Sequence, residues 1–206
     1  MAESDRELDQ WRELYGEFKV KSDKDDVTPP PVEALDRFEA ETGIRLPAGY
    51  RGYIRVFGPG CLLVGGGKHI TEMFIESPYC PESSMDLRRA AKRLQSLKDD
   101  PPRGMDEQTQ RIIVFATNGL GDEFGWDPQD VTDPLAPEFG VYAWYRGDNV
   151  VKISNTFKGF MKFVLNLEAR FDHKYKDDYR IDADESDFGI MDKKLKKVFQ
   201  RTTSSE

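Results

Sequence analysis

Two histidines, His69 and His173, and two cysteines, Cys61 and Cys80, are the whole stock of imidazole and thiol groups in this chain. A zinc site of the finger kind needs such side chains at close, regular spacing. Neither histidine has a partner at i+4 or a cysteine at finger spacing. A Cys–His pair would make a nucleophile, but with so few of each residue chance proximity explains as much. Gly65-Gly66-Gly67-Lys68 ends like a phosphate loop, yet Leu62 stands where the first glycine belongs and His69 where a Ser or Thr would hold magnesium. Gly119-Leu120-Gly121-Asp122 lacks both a third glycine and a following helix, so it reads as a tight turn. The acidic run from Asp182 to Asp187 fails as a calcium loop, because Asp187 and Lys193 replace the required Gly and Glu. There is no Gly-x-Ser-x-Gly elbow, and Arg146-Gly147-Asp148 reads as a hairpin turn. Thirty-eight acidic residues make any single carboxylate pair uninformative. The residues therefore nominate no catalytic group, no metal and no cofactor.

What remains is chemistry of contact. The net charge is −8 over 206 residues. An acidic surface repels nucleic-acid phosphates, so direct nucleic-acid binding is disfavoured, whereas a basic protein would be drawn to it. Acidity that serves solubility alone is the blander reading. No apolar run approaches the roughly 20 residues that span a bilayer. The hydrophilic start, with no secretory h-region, leads us to expect a cytoplasmic protein with reduced thiols. Trp126, Tyr142 and Trp144 fall on segments that read as strands. If their sheet face is open, they are natural protein-binding anchors. If the N-terminal helix or the tail covers that face, they are core. The candidate patch is Asp122, Glu123, Trp126, Asp127 and Trp144. The basic face of a helix over 84–98, with Arg88, Arg89, Lys92 and Arg93 pointing out, reads as solvated.

The elements that must position these residues follow from periodicity. Leu8, Trp11, Leu14, Tyr15 and Phe18 predict a first helix over 4–19, set apart by a charged, proline-rich linker through Pro29-Pro30-Pro31. A second helix starts near Pro31 and ends at Gly43, which is free to turn left-handed. Pro47 starts a third, with Tyr50, Tyr53, Ile54 and Phe57 on one face and Gly58 as its stop. Short strands are expected at 61–64 and 70–75. Ile112–Thr117 should be a central strand, followed by 123–127 and by a hairpin of 141–146 and 149–153. A final helix over 155–171 carries Phe157, Phe160, Met161, Val164, Leu167 and Phe171 inward. Beyond it the chain turns highly charged, and 190–201 could form a short basic helix. Helices first, then antiparallel strands, then a helix is an α+β order. We expect a mostly antiparallel sheet packed by N-terminal and C-terminal helices. Residues 1–30 would be an added helix and linker, 31–171 a single domain, and 172–206 a tail.

Leu46-Pro47, Tyr50, Tyr53, Phe57-Gly58, Gly121-Asp122 and a terminal helix opening on Phe157 and Phe160 occur in an order that resembles the SUKH superfamily. That superfamily is named in part after a yeast cell-wall-synthesis regulator. The resemblance spans about 31–171. It implies a fold without cofactor or catalysis, whose bacterial members often neutralise toxin domains by binding them. It further implies that Gly121 serves the turn and that Asp122 ties backbone amides. The expected function is thus a non-catalytic protein-binding module, an immunity protein facing a basic toxin domain such as a nuclease. A standalone regulatory scaffold is the alternative, and an enzyme with an unrecognised site comes last.

Overall fold

The computed structural model describes residues 5–21, 31–58, 60–66, 69–78, 86–100, 103, 105–145, 150–165 and 196–201. The expectations for Cys80, His173, the 182–187 run, the hairpin loop at 147–148 and residues 166–171 lie outside them.

Among the described residues there are six helices and eight strands. They are α1 (Asp5–Gly16), β1 (Lys19–Lys21), α2 (Val32–Thr42), α3 (Ala48–Phe57), β2 (Gly60–Gly66) and β3 (His69–Ile75). After these come α4 (Arg88–Asp99), α5 (Glu107–Arg111), β4 (Ile113–Asn118), β5 (Glu123–Asp133), β6 (Glu138–Trp144), β7 (Val150–Ser154), α6 (Phe157–Leu165) and β8 (Lys196–Arg201). The strands make one sheet in the order β1-β8-β2-β3-β4-β5-β6-β7. From β8 through β7 every pairing is antiparallel, and only β1 runs parallel to its neighbour β8. This is the expected α+β single domain.

Period-2 alternation sends one set of strand residues to the inner face: Leu62, Met73, Ile75, Ile113, Phe115, Phe124, Trp126, Val141, Ala143 and Ile153 are all buried. Helices α3 and α6 supply the other half of that core. Phe157 is its hub, with ring centroids 5.3 Å from Tyr50 and Phe115, 5.4 Å from Tyr53, 5.6 Å from Phe160 and 6.0 Å from Trp11. Leu46, Tyr50, Tyr53, Phe57, Phe157 and Phe160, drawn from two distant stretches of sequence, are all fully buried.

Local chemistry ends these elements where the sequence indicates. Gly43 closes α2 at φ 69° and Gly58 closes α3 at φ 70°, both in the left-handed region open to glycine. Pro47 stands at the N-cap of α3 without a capping side chain. Its place is taken from across the sheet: the Gly49 N–H donates to Glu138 Oε1 (2.6 Å), and the Phe157 N–H donates to Glu138 Oε2 (3.0 Å). One buried carboxylate on β6 thereby joins the N-termini of α3 and α6, where helix dipoles favour negative charge. A Cβ on Gly49 would lie 2.9 Å from that carboxylate and 3.3 Å from the Phe157 Cβ, so any larger residue there would push the carboxylate out of its present position.

Two expectations require correction. Helix α1 does not stand apart: Leu8, Trp11, Leu14 and Phe18 are buried, and the Trp11 ring lies over Gly52 of α3. The basic C-terminal segment is a strand over 196–201 rather than a helix, because the backbone of β2 offers it a ladder of six pairings.

Candidate functional site

The β4–β5 connection is a tight turn held by its own polar atoms. Asn118 Oδ1 accepts from the N–H groups of Leu120 (3.0 Å) and Asp122 (2.9 Å). Asp122 Oδ2 accepts from Asn118 Nδ2 (2.8 Å), so Asp122 orients the amide-binding Asn118 rather than binding amides itself. Gly121 has φ 86°, which the turn demands and a β-branched residue resists. Leu120, at the tip, is 62% exposed.

Downstream of this turn the expected patch divides between the two sheet faces. Trp126 pairs with Val141 in register and shares its inward face. It is fully buried, its ring 5.3 Å from Phe115 and 5.5 Å from Tyr50. Asp127 points outward but is covered by α5 and is 1% exposed. Arg111 grips it through two nitrogens (2.8 and 2.9 Å), the Gln129 N–H donates to it (3.0 Å), and Gln108 reaches it at 3.3 Å. Burial alone would raise the Asp127 carboxyl, but these donors outweigh it and hold the group below its ordinary range. Trp126 and Asp127 are therefore structural and leave the surface patch. Asp122, Glu123 and Trp144 remain accessible, each only half-buried.

The outer sheet face is covered by α4 and α5, not by the N-terminal helix. Ile112, Val114 and Tyr142 form a small apolar cluster there with Val150. Gly125, directly beneath, leaves the space that Ile112 occupies. Between α4 and this face lies a cleft of about 520 Å3. Helix α4 contributes Arg89, Ala90 and Arg93; the sheet side contributes Phe74, Glu76, Val114, Thr117 and Glu123.

Arg93 organises the rim. Its Nη1 donates to Glu123 Oε2 (2.8 Å), and its guanidinium lies 5.0 Å from the centre of the Trp144 ring. Cross-strand pairing puts Glu123 opposite Trp144, so the ion pair and the cation–π contact share one side chain. About a third of each charged side chain is still exposed, 30% for Arg93 and 34% for Glu123. Glu76 lines the same cleft. Burial is the main cause that lifts its carboxyl from 4.5 to about 7; Arg89 opposes the shift, Glu123 and Asp86 add to it, and Arg93 again opposes.

Sequence reasoning missed Arg93, Glu76, Arg111 and Glu138. Arg93 was read as solvated with Arg88, Arg89 and Lys92, but α4 rotates both Arg88 and Arg93 towards neighbours. Arg88 donates to the Pro78 carbonyl (2.7 Å) and lies over Phe38. The signal for Arg93 was its spacing from Ala90 and Leu97, on the edge of the apolar stripe. Glu138 carried no local signal, since its partners are 89 and 19 residues away.

Among the described residues no group of three or more His, Cys, Asp or Glu could hold a metal ion. Burial, reinforced by Glu72, pushes the Cys61 thiol up to about 12, so it stays protonated and a poor nucleophile. No helix among the described residues is long and apolar enough to cross a membrane.

Fold and cleft define a class: a single α+β domain whose antiparallel sheet lies between an aromatic helical layer and a thinner cover of two helices. The chain belongs to the SMI1 / KNR4 family (SUKH-1), which matches residues 29–162, more than half its length. Domains of this family are generally non-catalytic and typically bind protein partners. Neither the curated proteins nor the solved structures contain a match to the chain.

Proposed function

We propose that this protein is a non-catalytic binding module that acts as an immunity protein, neutralising a cognate toxin by direct contact through the α4 cleft and the turn beside it. The observation that carries this reading is the Arg93–Trp144–Glu123 cluster. Arginine and tryptophan are the side chains richest in binding energy at protein interfaces, and here each is held in place before a partner arrives. The cluster is half-buried, so a partner can complete its desolvation at little ordering cost. Leu120 offers an exposed apolar contact on the same hairpin as Glu123. A net charge of −8 favours a basic partner, such as a nuclease domain whose phosphate-binding surface an acidic protein would block. Binding of this kind would take place in the cytoplasm and needs neither cofactor nor nucleic acid.

The test is to capture the partner from the native organism on the tagged chain and assay its activity against added chain. Loss of partner activity at one equivalent is the expected result. A partner whose activity is unchanged when bound would instead place the chain with regulatory scaffolds.

A further inference from the structure

The family match covers residues 29–162, and the strands inside it are β2 through β7. Taken alone, that sheet would end at β2 on one side and β7 on the other. In this chain β2 is not an edge. Two strands from outside the matched span lie beyond it, β8 next to β2 and β1 next to β8. An uncovered strand edge presents a row of unpaired N–H and C=O groups, and a polypeptide supplied in extended form satisfies them.

The manner of supply matters. Residues 166–195 separate β8 from α6 in sequence, so β8 comes to β2 from far along the chain. A strand that belongs to the same chain as its sheet competes with any outside strand as an intramolecular ligand. Its sequence shows what the edge accepts. Lys196-Lys197-Val198-Phe199-Gln200-Arg201 carries three cations and no anion, in a chain of net charge −8. The register sets Val198 opposite Leu63 and Phe199 opposite Leu62. Leu62 is fully buried and Leu63 half-buried, so the centre of the site is apolar and its ends meet basic positions.

We propose that the outer edge of β2 is a strand-docking site for an extended basic segment of a partner protein, occupied in cis by the chain's own C-terminal strand until the partner displaces it. The site is separate from the α4 cleft and does not depend on it. Docking is antiparallel to β2 along Gly60–Gly65, with two neighbouring apolar residues of the incoming segment at the positions of Val198 and Phe199.

The probe is a fluorescent peptide with the sequence of residues 194–206, titrated into two full-length proteins. One is wild type. The other carries Val198→Pro and Phe199→Pro, which remove ladder donors and dislodge the resident strand. Saturable binding to the double variant, about tenfold or more tighter than to wild type, is expected, because only in wild type does the resident strand compete. A scrambled peptide should not bind. No saturable binding to a variant that keeps its circular dichroism, or equal binding of the scrambled peptide, overturns the proposal. If the variant loses its fold, hydrogen exchange on wild type decides. The amides of 196–201 should exchange much faster than those of β4 and β5, since the strand leaves without global unfolding. Exchange as slow as in β4 would make β8 a permanent part of the sheet and overturn the proposal. A wild-type dimer that exchanges β8 between copies would name a second copy as the occupant and overturn the assignment to a partner.

Discussion

Replacing Glu138 should unfasten two helices at once. Its carboxylate accepts one hydrogen bond from the second residue of α3 and one from the first residue of α6, and the side chain is buried. A hydrogen bond to a charged group is worth about 1.5–3 kcal/mol net, and the loss is greater when the remaining donor is left buried. Favourable placement of an anion at a helix N-terminus is already part of that figure. Glu138→Ala removes both bonds and should cost about 3–5 kcal/mol. That is a large share of a domain stability of roughly 5–15 kcal/mol. Glu138→Gln keeps one acceptor and turns an N–H donor towards a backbone N–H, so about half the loss is expected. Urea denaturation followed by circular dichroism and tryptophan fluorescence measures both, provided the m-value is unchanged. A loss under about 1 kcal/mol for Glu138→Ala would refute the reasoning and mean that water or backbone satisfies the two amides without the carboxylate.

The other expectations follow from single contacts. Gly52→Ala places a methyl 2.6 Å from the Trp11 ring, which is itself wedged between Tyr53 and Phe157. An overpacking loss of about 1–3 kcal/mol should appear as a lower melting temperature, and an unchanged one would show that α1 is not docked this way. Phe157→Ala and Phe160→Ala should each cost about 3–5 kcal/mol through the cavity left among the surrounding rings, read by the same denaturation; wild-type melting for either would contradict the assigned core. Because burial raises the Glu76 carboxyl from 4.5 to about 7, the folded state holds a proton that the unfolded chain releases in that window. Its contribution is present below 4.5 and is lost as pH rises through 7, so stability should fall across this range and Glu76→Gln should flatten the slope. Parallel pH curves for the two proteins would mean that Glu76 titrates normally.

How far the fold was legible depended on the range of the forces involved. The aromatic spacing of α3 and α6 is local, and it correctly placed Tyr50, Tyr53, Phe57, Phe157 and Phe160 inside. Gly43 and Gly121 were legible because their backbone angles exclude most other residues. Trp126 was misplaced although the signal was there: Glu123, Gly125 and Asp127 alternate with Phe124 and Trp126, which marks the latter pair as the inner face. What the alternation could not show was that α5 would fold over Asp127 and bring Arg111 to it. Arg93 looked solvated because a helix stripe says which residues are apolar, not which cations stand beside another element's tryptophan. Residues 190–201 were read as a short basic helix, of which 196–201 is a strand. The state of 196–201 is set by the vacant ladder of β2, a tertiary term that outweighs local preference. Glu138 joins segments far apart in sequence, and no window-based reading reaches that distance.

The central claim is that the Arg93–Trp144–Glu123 cluster is the contact with a protein partner, and dissociation kinetics of the partner complex test it most directly. Arg93→Ala and Trp144→Ala should each speed dissociation by about 30-fold, the equivalent of a hot spot of about 2 kcal/mol. The double variant should lose less than the sum, because the two side chains form one contact. Association should slow with added salt while dissociation barely responds, since long-range charge governs encounter. Trp126→Phe, altered only in the core, should leave dissociation unchanged. Complexes that dissociate at the wild-type rate in both Arg93→Ala and Trp144→Ala, with the fold intact, would contradict the account.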